Sequence, residues 1–230
     1  MNAWRRRVLA ALAFTPLAAQ AASDAAAGPA AGFRVESGRL PAPGTYTLAR
    51  IAAAPDGAVL DTDGKQRSLH QLLRGRTSVL SFIYSYCRDP EGCPRAWAAL
   101  EAVHSGLLQD RLLAERSQIV SLSFDPTNDT PLQMRLVGGD RAIDARVRWR
   151  FLTTSSVRAL LPLLRGFGQE VTVENDERGR PTRTLNHMLK LFVVDPELQV
   201  REIYSVATLA PQAILNDLRT LQLEANPGWR

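Results

Sequence analysis

The chain has 230 residues, of which 28 are Lys or Arg and 23 are Asp or Glu, for a formal net charge of +5. Three of the basic residues, Arg5, Arg6 and Arg7, fall in a predicted leader, so the rest of the chain sets 25 basic residues against 23 acidic ones, a net +2 that offers no support for nucleic-acid binding. The cationic side is almost entirely arginine, with Lys65 and Lys190 the only lysines, a bias that reads as genomic base composition and not as function.

The arginine cluster is followed by the apolar stretch VLAALAFTPLAA and the small-residue run AQAAS, the pattern of a secretory signal peptide over residues 1–22. The apolar run is shorter than the roughly 20 residues needed to cross a bilayer. Left uncleaved, it would still hold the chain at a membrane surface, a peripheral association. No cysteine lies near the cut, so a lipid on a first-residue cysteine is excluded. Residues 23–39, rich in Ala, Gly and Pro, read as a flexible linker. The remaining residues, 40–230, suffice for one domain with a substantial core. Export, most simply to a periplasm, places this domain where a disulfide forms and persists.

In chain order, the apolar stretches at Tyr46 to Ile51 and around Val59 to Asp61, broken by PDG and TDG, predict a hairpin that extends the domain at its N-terminus. SLHQLLRG predicts a short helix, capped by Ser68 and stopped by Gly75. SVLSFIYSY is a β-branched and aromatic run, expected to be a strand buried on both faces. PRAWAALEAVHSGLLQDRLL puts Trp97, Leu100, Val103 and Leu107 on one helical face behind Pro94. SQIVSLSFD predicts a strand, and NDTPLQMRLVGG a helix capped by Asp129 or Thr130 with Pro131 at its first position. RVRWRFLT predicts a third strand and SSVRALLPLLRGFG a helix interrupted by Pro162. MLKLFVVDPELQVREIYS predicts two strands about a DPELQ turn, and APQAILNDLRTLQLE a closing amphipathic helix. This order predicts an α/β domain whose sheet is covered by helices on both faces.

The only two cysteines, Cys87 and Cys93, are separated by five residues in YSYCRDPEGCP, between the first long strand and the helix after it. That spacing is too wide for an ordinary C-x-x-C redox motif, and two cysteines cannot complete a structural zinc site. Cys93 stands at a helix N-terminus, where unpaired N–H groups and the helix dipole favour a thiolate. Arg88 and Arg95 add to that effect, while Asp89 and Glu91 oppose it. Pro90 and Gly92 let the segment fold back, so the sulfurs can form a disulfide when oxidised or present two thiolates to one metal when reduced. A structural disulfide stapling a loop is the simplest alternative.

Of the three histidines, His70 is expected to be an exposed polar residue. His104 lies about 16 Å along the helix from Cys93 at a rise of 1.5 Å per residue, too far to share a metal with the pair. His187, in TLNHMLKLFVVD, enters the strand before the final hairpin, and a strand end can lie beside a loop distant in sequence. Met188 is expected to point to the opposite face, into the core. No Ser-His-Asp order, phosphate loop or carboxylate pair supports a hydrolase or transferase.

The blocks SFIYSYC with CPRAW, VSLSFDPTNDTP, WRFLTTSSVRALLPLLRGFG and NHMLKLFVVDPELQVREIYS resemble, in order and spacing, those of the SCO/SenC family of exported thioredoxin-like proteins, over residues 40 to 223. The resemblance implies a thioredoxin-like α/β fold with a central mixed sheet. It also implies copper bound by Cys87, Cys93 and His187, a donor set of soft thiolates and an imidazole that suits Cu(I) and also holds Cu(II). Asp125 would then lie near the metal loop, with turn chemistry as its competing role and the leading one for Asp129. The implied function is that of a metallochaperone, delivering copper to, or maturing, the copper centre of a respiratory oxidase. The implied partners are an oxidase subunit or another exported cuproprotein, together with a thiol-disulfide reductant. The sequence departs from the family in having five residues between the cysteines where the family has three, and in having NHM where the family has Asp-His-Ser. Two other readings stand beside it. One is a thiol-disulfide oxidoreductase in which Cys87 and Cys93 attack and resolve; the other is a binding module with a permanent disulfide.

Overall fold

The computed structural model describes residues 40–87, 92–226 and 228. The predicted signal peptide and linker, and Arg88, Asp89, Pro90 and Glu91 of the cysteine loop, lie outside the described residues.

The start of the domain differs from the sequence reading. Tyr46 to Ile51 is not a strand but a segment laid along the last helix; the short β1 (Ala52–Ala53) comes after it. The hairpin lies further on, between β2 (Ala58–Leu60) and β3 (Gln66–Ser68), and the TDG turn supplies the positive φ it needs through Gly64. Ser68 then caps α1 (Leu69–Leu73) in a capping box with Gln71, and the helix stops just before Gly75, which takes a positive φ.

The apolar run expected to be buried on both faces forms β4 (Thr77–Ile83), in which every residue is buried. The helix after it is interrupted, because the Asp110 side chain accepts the N–H of Leu113 and caps a new start. The segment is therefore α2 (Gly92–Gln109) and α3 (Arg111–Arg116). Next come β5 (Ser117–Ser123), α4 (Pro131–Gly138, capped by Thr130), β6 (Trp149–Leu152) and α5 (Val157–Gly166), which contains Pro162. Between α5 and the final hairpin the structure has two strands that the sequence reading lacks, β7 (Val171–Asn175) and β8 (Pro181–His187). They pair antiparallel as a separate ribbon around Gly179. The chain ends with β9 (Lys190–Val194), β10 (Gln199–Ser205) and α6 (Pro211–Ala225).

The main sheet has the order β1-β10-β9-β4-β5-β6. Strands β4, β5 and β6 run parallel, whereas β9 is antiparallel to β4 and β10 to β9. The period-2 geometry of strands divides their side chains between two cores. Val79, Ile83, Ile119, Leu191 and Val193 face the helices α2, α3, α4 and α6. Leu80, Phe82, Val120, Leu122, Phe192 and Val194 face α1 and α5. The expected mixed sheet with helices on both faces is thus present. Its parallel strands carry their C-terminal ends, and the loops leading to α2 and α4, to one edge.

Candidate metal and thiol site

At that edge β4 gives way to Tyr84, Ser85, Tyr86 and Cys87. Cys87 is disulfide-bonded to Cys93 in the first turn of α2, with the two Cα atoms 6.5 Å apart, within the span a disulfide bridges. The two sulfurs therefore do meet across the five-residue spacing. Cys93 sits where the first N–H groups of a helix have no intrahelical partner, a place that stabilises a thiolate once the bond is reduced.

His187 is the last residue of β8, not the first of the following strand, and it pairs with Val171 across the ribbon. Its half-buried ring packs edge-on against Phe124 at 4.5 Å and Tyr84 at 6.2 Å. A narrow crevice is lined by both Cys93 and His187, together with Phe82, Tyr84, Trp97 and Leu189. The Nδ1 of His187 makes a long contact, 3.4 Å, with the carbonyl of Met188; donation from Nδ1 puts the ring's lone pair on Nε2. The same carbonyl accepts a 3.0 Å bond from the side chain of Gln169, which is buried. Gln169 thereby fixes the step from β8 to β9 that presents His187, and no feature of the sequence pattern singled it out.

Among the described residues, no group of three or more His, Cys, Asp and Glu side chains is arranged to hold a metal ion. Both sulfurs are committed to each other in the disulfide, and metal binding at this pair requires the free thiolates that reduction supplies.

The two aspartates of FDPTNDTP exchange emphasis. Asp125 is partly exposed and does turn work: its carbonyl accepts from Asn128 and Asp129, and its carboxylate accepts from the Asn128 amide at 2.7 Å. Asp129 is fully buried and does not cap α4, a task that falls to Thr130. Its carboxylate accepts the Ser85 N–H at 3.1 Å, the Ser85 hydroxyl and the Ser123 hydroxyl. It thus ties the end of β5 to the segment two residues ahead of Cys87. On the other side of that segment, the Arg183 guanidinium of β8 lies 4.2 Å from the centre of the Tyr86 ring.

The other candidates fall elsewhere. His70 is partly buried, with Nε2 2.8 Å from the carbonyl of Ala54. His104 is buried in α2 against Trp149 at 5.5 Å, and burial pushes its pKa down. Met188 is exposed and not a core residue: it lies in the step between β8 and β9, outside both strands.

A mixed sheet with helices on both faces, and a cysteine pair spanning the end of a central strand and the start of the next helix, defines a thioredoxin-like protein. The chain belongs to the SCO1/SenC family, whose model matches residues 53–222. No curated protein matches it. Among solved structures it is similar to apo Sco1 from Thermus thermophilus, with 23% identity and a TM-score of 0.60 over 76% of this chain and 95% of that one. It is also similar to copper-bound ScoI from Arabidopsis thaliana, with 17% identity and a TM-score of 0.61 over 75% and 99% of the two chains. A third is BsSco, described as a member of the Sco family of cytochrome c oxidase assembly proteins with a disulfide switch; it is 23% identical with a TM-score of 0.55, over 76% and 98%.

Proposed function

We propose that the protein is an exported, most simply periplasmic, metallochaperone that carries copper on Cys87, Cys93 and His187 and serves the maturation of a respiratory oxidase's copper centre. The observation that carries this reading is the shared crevice: Cys93 and His187, far apart in sequence, open on one cleft, and Cys87 is bonded to Cys93. Family membership and the copper bound in the Arabidopsis relative support it. Two thiolates and an imidazole form a soft donor set that holds Cu(I) and accepts Cu(II). A copper titration of the reduced protein, followed by absorption spectroscopy, should give one copper per chain, with affinity falling about 10-fold or more in His187→Ala. Absent stoichiometric binding, or binding unweakened by that change, would overturn the assignment.

The disulfide itself favours a second activity at the same residues, thiol-disulfide exchange with a partner cysteine pair. In this reading one thiolate attacks the partner's disulfide and the other resolves the mixed disulfide. A Cys87→Ser or Cys93→Ser variant would then trap a mixed disulfide with an exported partner; failure of both to do so removes this activity and leaves copper binding untouched.

A further inference from the structure

The residues just ahead of Cys87 are held from two directions by segments distant in sequence. Ser85 gives its N–H and its hydroxyl to the buried Asp129, beyond β5. Tyr86 lies against the guanidinium of Arg183, on β8. Cys93 needs no such help, because it stands on α2, a helix seated in the core through Leu100, Val103 and Leu107. None of these contacts involves sulfur, so opening the disulfide removes none of them directly. We propose that Asp129 and Arg183 are positioning residues that keep Cys87 facing Cys93 after reduction, and so set the equilibrium between dithiol and disulfide. This holds whether the dithiol goes on to bind copper or to exchange with a protein partner.

Reduction breaks the S–S bond with two electrons and two protons, supplied for instance by two glutathione thiols that leave as one glutathione disulfide. The reverse reaction is a ring closure across five residues, and its equilibrium constant measures the effective concentration of one thiol at the other. An unanchored Cys87 would sample orientations turned away from Cys93, and each of these dilutes the pair. The anchors exclude them: Asp129 by hydrogen bonds to main chain and side chain at Ser85, Arg183 by covering the next residue.

The test is equilibration of the full chain in glutathione redox buffers, with the reduced fraction read by thiol alkylation and mass. Asp129→Asn and Arg183→Ala should each make the disulfide three- to tenfold easier to reduce, a potential higher by about 15–30 mV for a two-electron couple. Arg183→Lys, which keeps a cation over the ring, should recover most of the shift. Ile214→Val, a core change in α6, serves as a control for general loosening and should leave the equilibrium at its parent value. Arg183 is exposed on the ribbon, so Arg183→Ala decides the matter even where Asp129→Asn fails to fold. An equilibrium within twofold of the parent in Arg183→Ala, or a shift equally present in Ile214→Val, would overturn the proposal.

Discussion

Two carboxylates at opposite ends of the sheet are buried with different company. Asp195, beside the N-terminal end of β4, faces a cation: Arg201 donates to it at 3.1 Å and reaches Glu224 at 2.9 Å and the carbonyls of Leu48 and Ala49. Asp129, beyond the C-terminal end of β4, is held by the neutral N–H and hydroxyls of Ser85 and Ser123. The first arrangement locks the N-terminal segment, the β9–β10 turn and α6 together through paired charge. The second holds the segment ahead of Cys87 without placing a guanidinium on the aspartate. One end of the sheet thus fixes its buried aspartate by paired charge and the other by neutral donors.

Breaking the charged end should have the largest effect. Arg201→Met leaves Asp195 buried beside an apolar side chain and two carbonyls without their donor, which should cost about 3–5 kcal/mol in urea unfolding. The disulfide equilibrium of whatever fraction stays folded should be unchanged, since the cysteines lie at the other end. Asp129→Ala should cost less, about 1–3 kcal/mol, for one part-buried N–H and two hydroxyls stripped of their acceptor, yet it should move that equilibrium.

The smallest effect is a slope. A third buried carboxylate, Asp217, accepts the hydroxyls of Tyr46 and Tyr204, and burial still raises its pKa above the ordinary aspartate value. A group raised in the folded state contributes stability that is fully present below its unfolded pKa, near 3.9, and is lost as pH rises through the folded value. Asp217→Asn removes this loss, so between about pH 4 and pH 7 the unfolding free energy of the variant should fall less than the parent's, as read from urea curves at each pH. The two tyrosines are raised as well, by burial first and the neighbouring carboxylate after it. Their contribution persists below the ordinary tyrosine value and disappears only in alkali.

Much of this architecture is legible in the chain because its signals are local. The β-branched and aromatic run of β4 announces a strand buried on both faces, and the Ser68 and Thr130–Pro131 starts announce their helices. The β7–β8 ribbon is not announced in the same way, since its side chains are largely exposed and apolar periodicity has no core to report. The alternation Val171-Thr-Val173-Glu and the Gly179 turn were its available signals. Missing the ribbon also misplaces Met188, whose alternate face was expected to be core. At the site, the cysteines and His187 stand out by residue type, whereas Asp129 does not. An aspartate before Thr-Pro has the same local sequence whether it caps a helix or turns inward, and only the distant Ser85 decides between them.

The segment from Leu40 to Ala53 has its partners at the far end of the chain. β1 pairs with β10, Arg201 gathers the carbonyls of Leu48 and Ala49, and Tyr46 bonds Asp217 across a sequence separation of 171 residues. A ribosome makes this stretch before β10 and α6. Its native partners therefore become available only after the intervening strands and helices have been made.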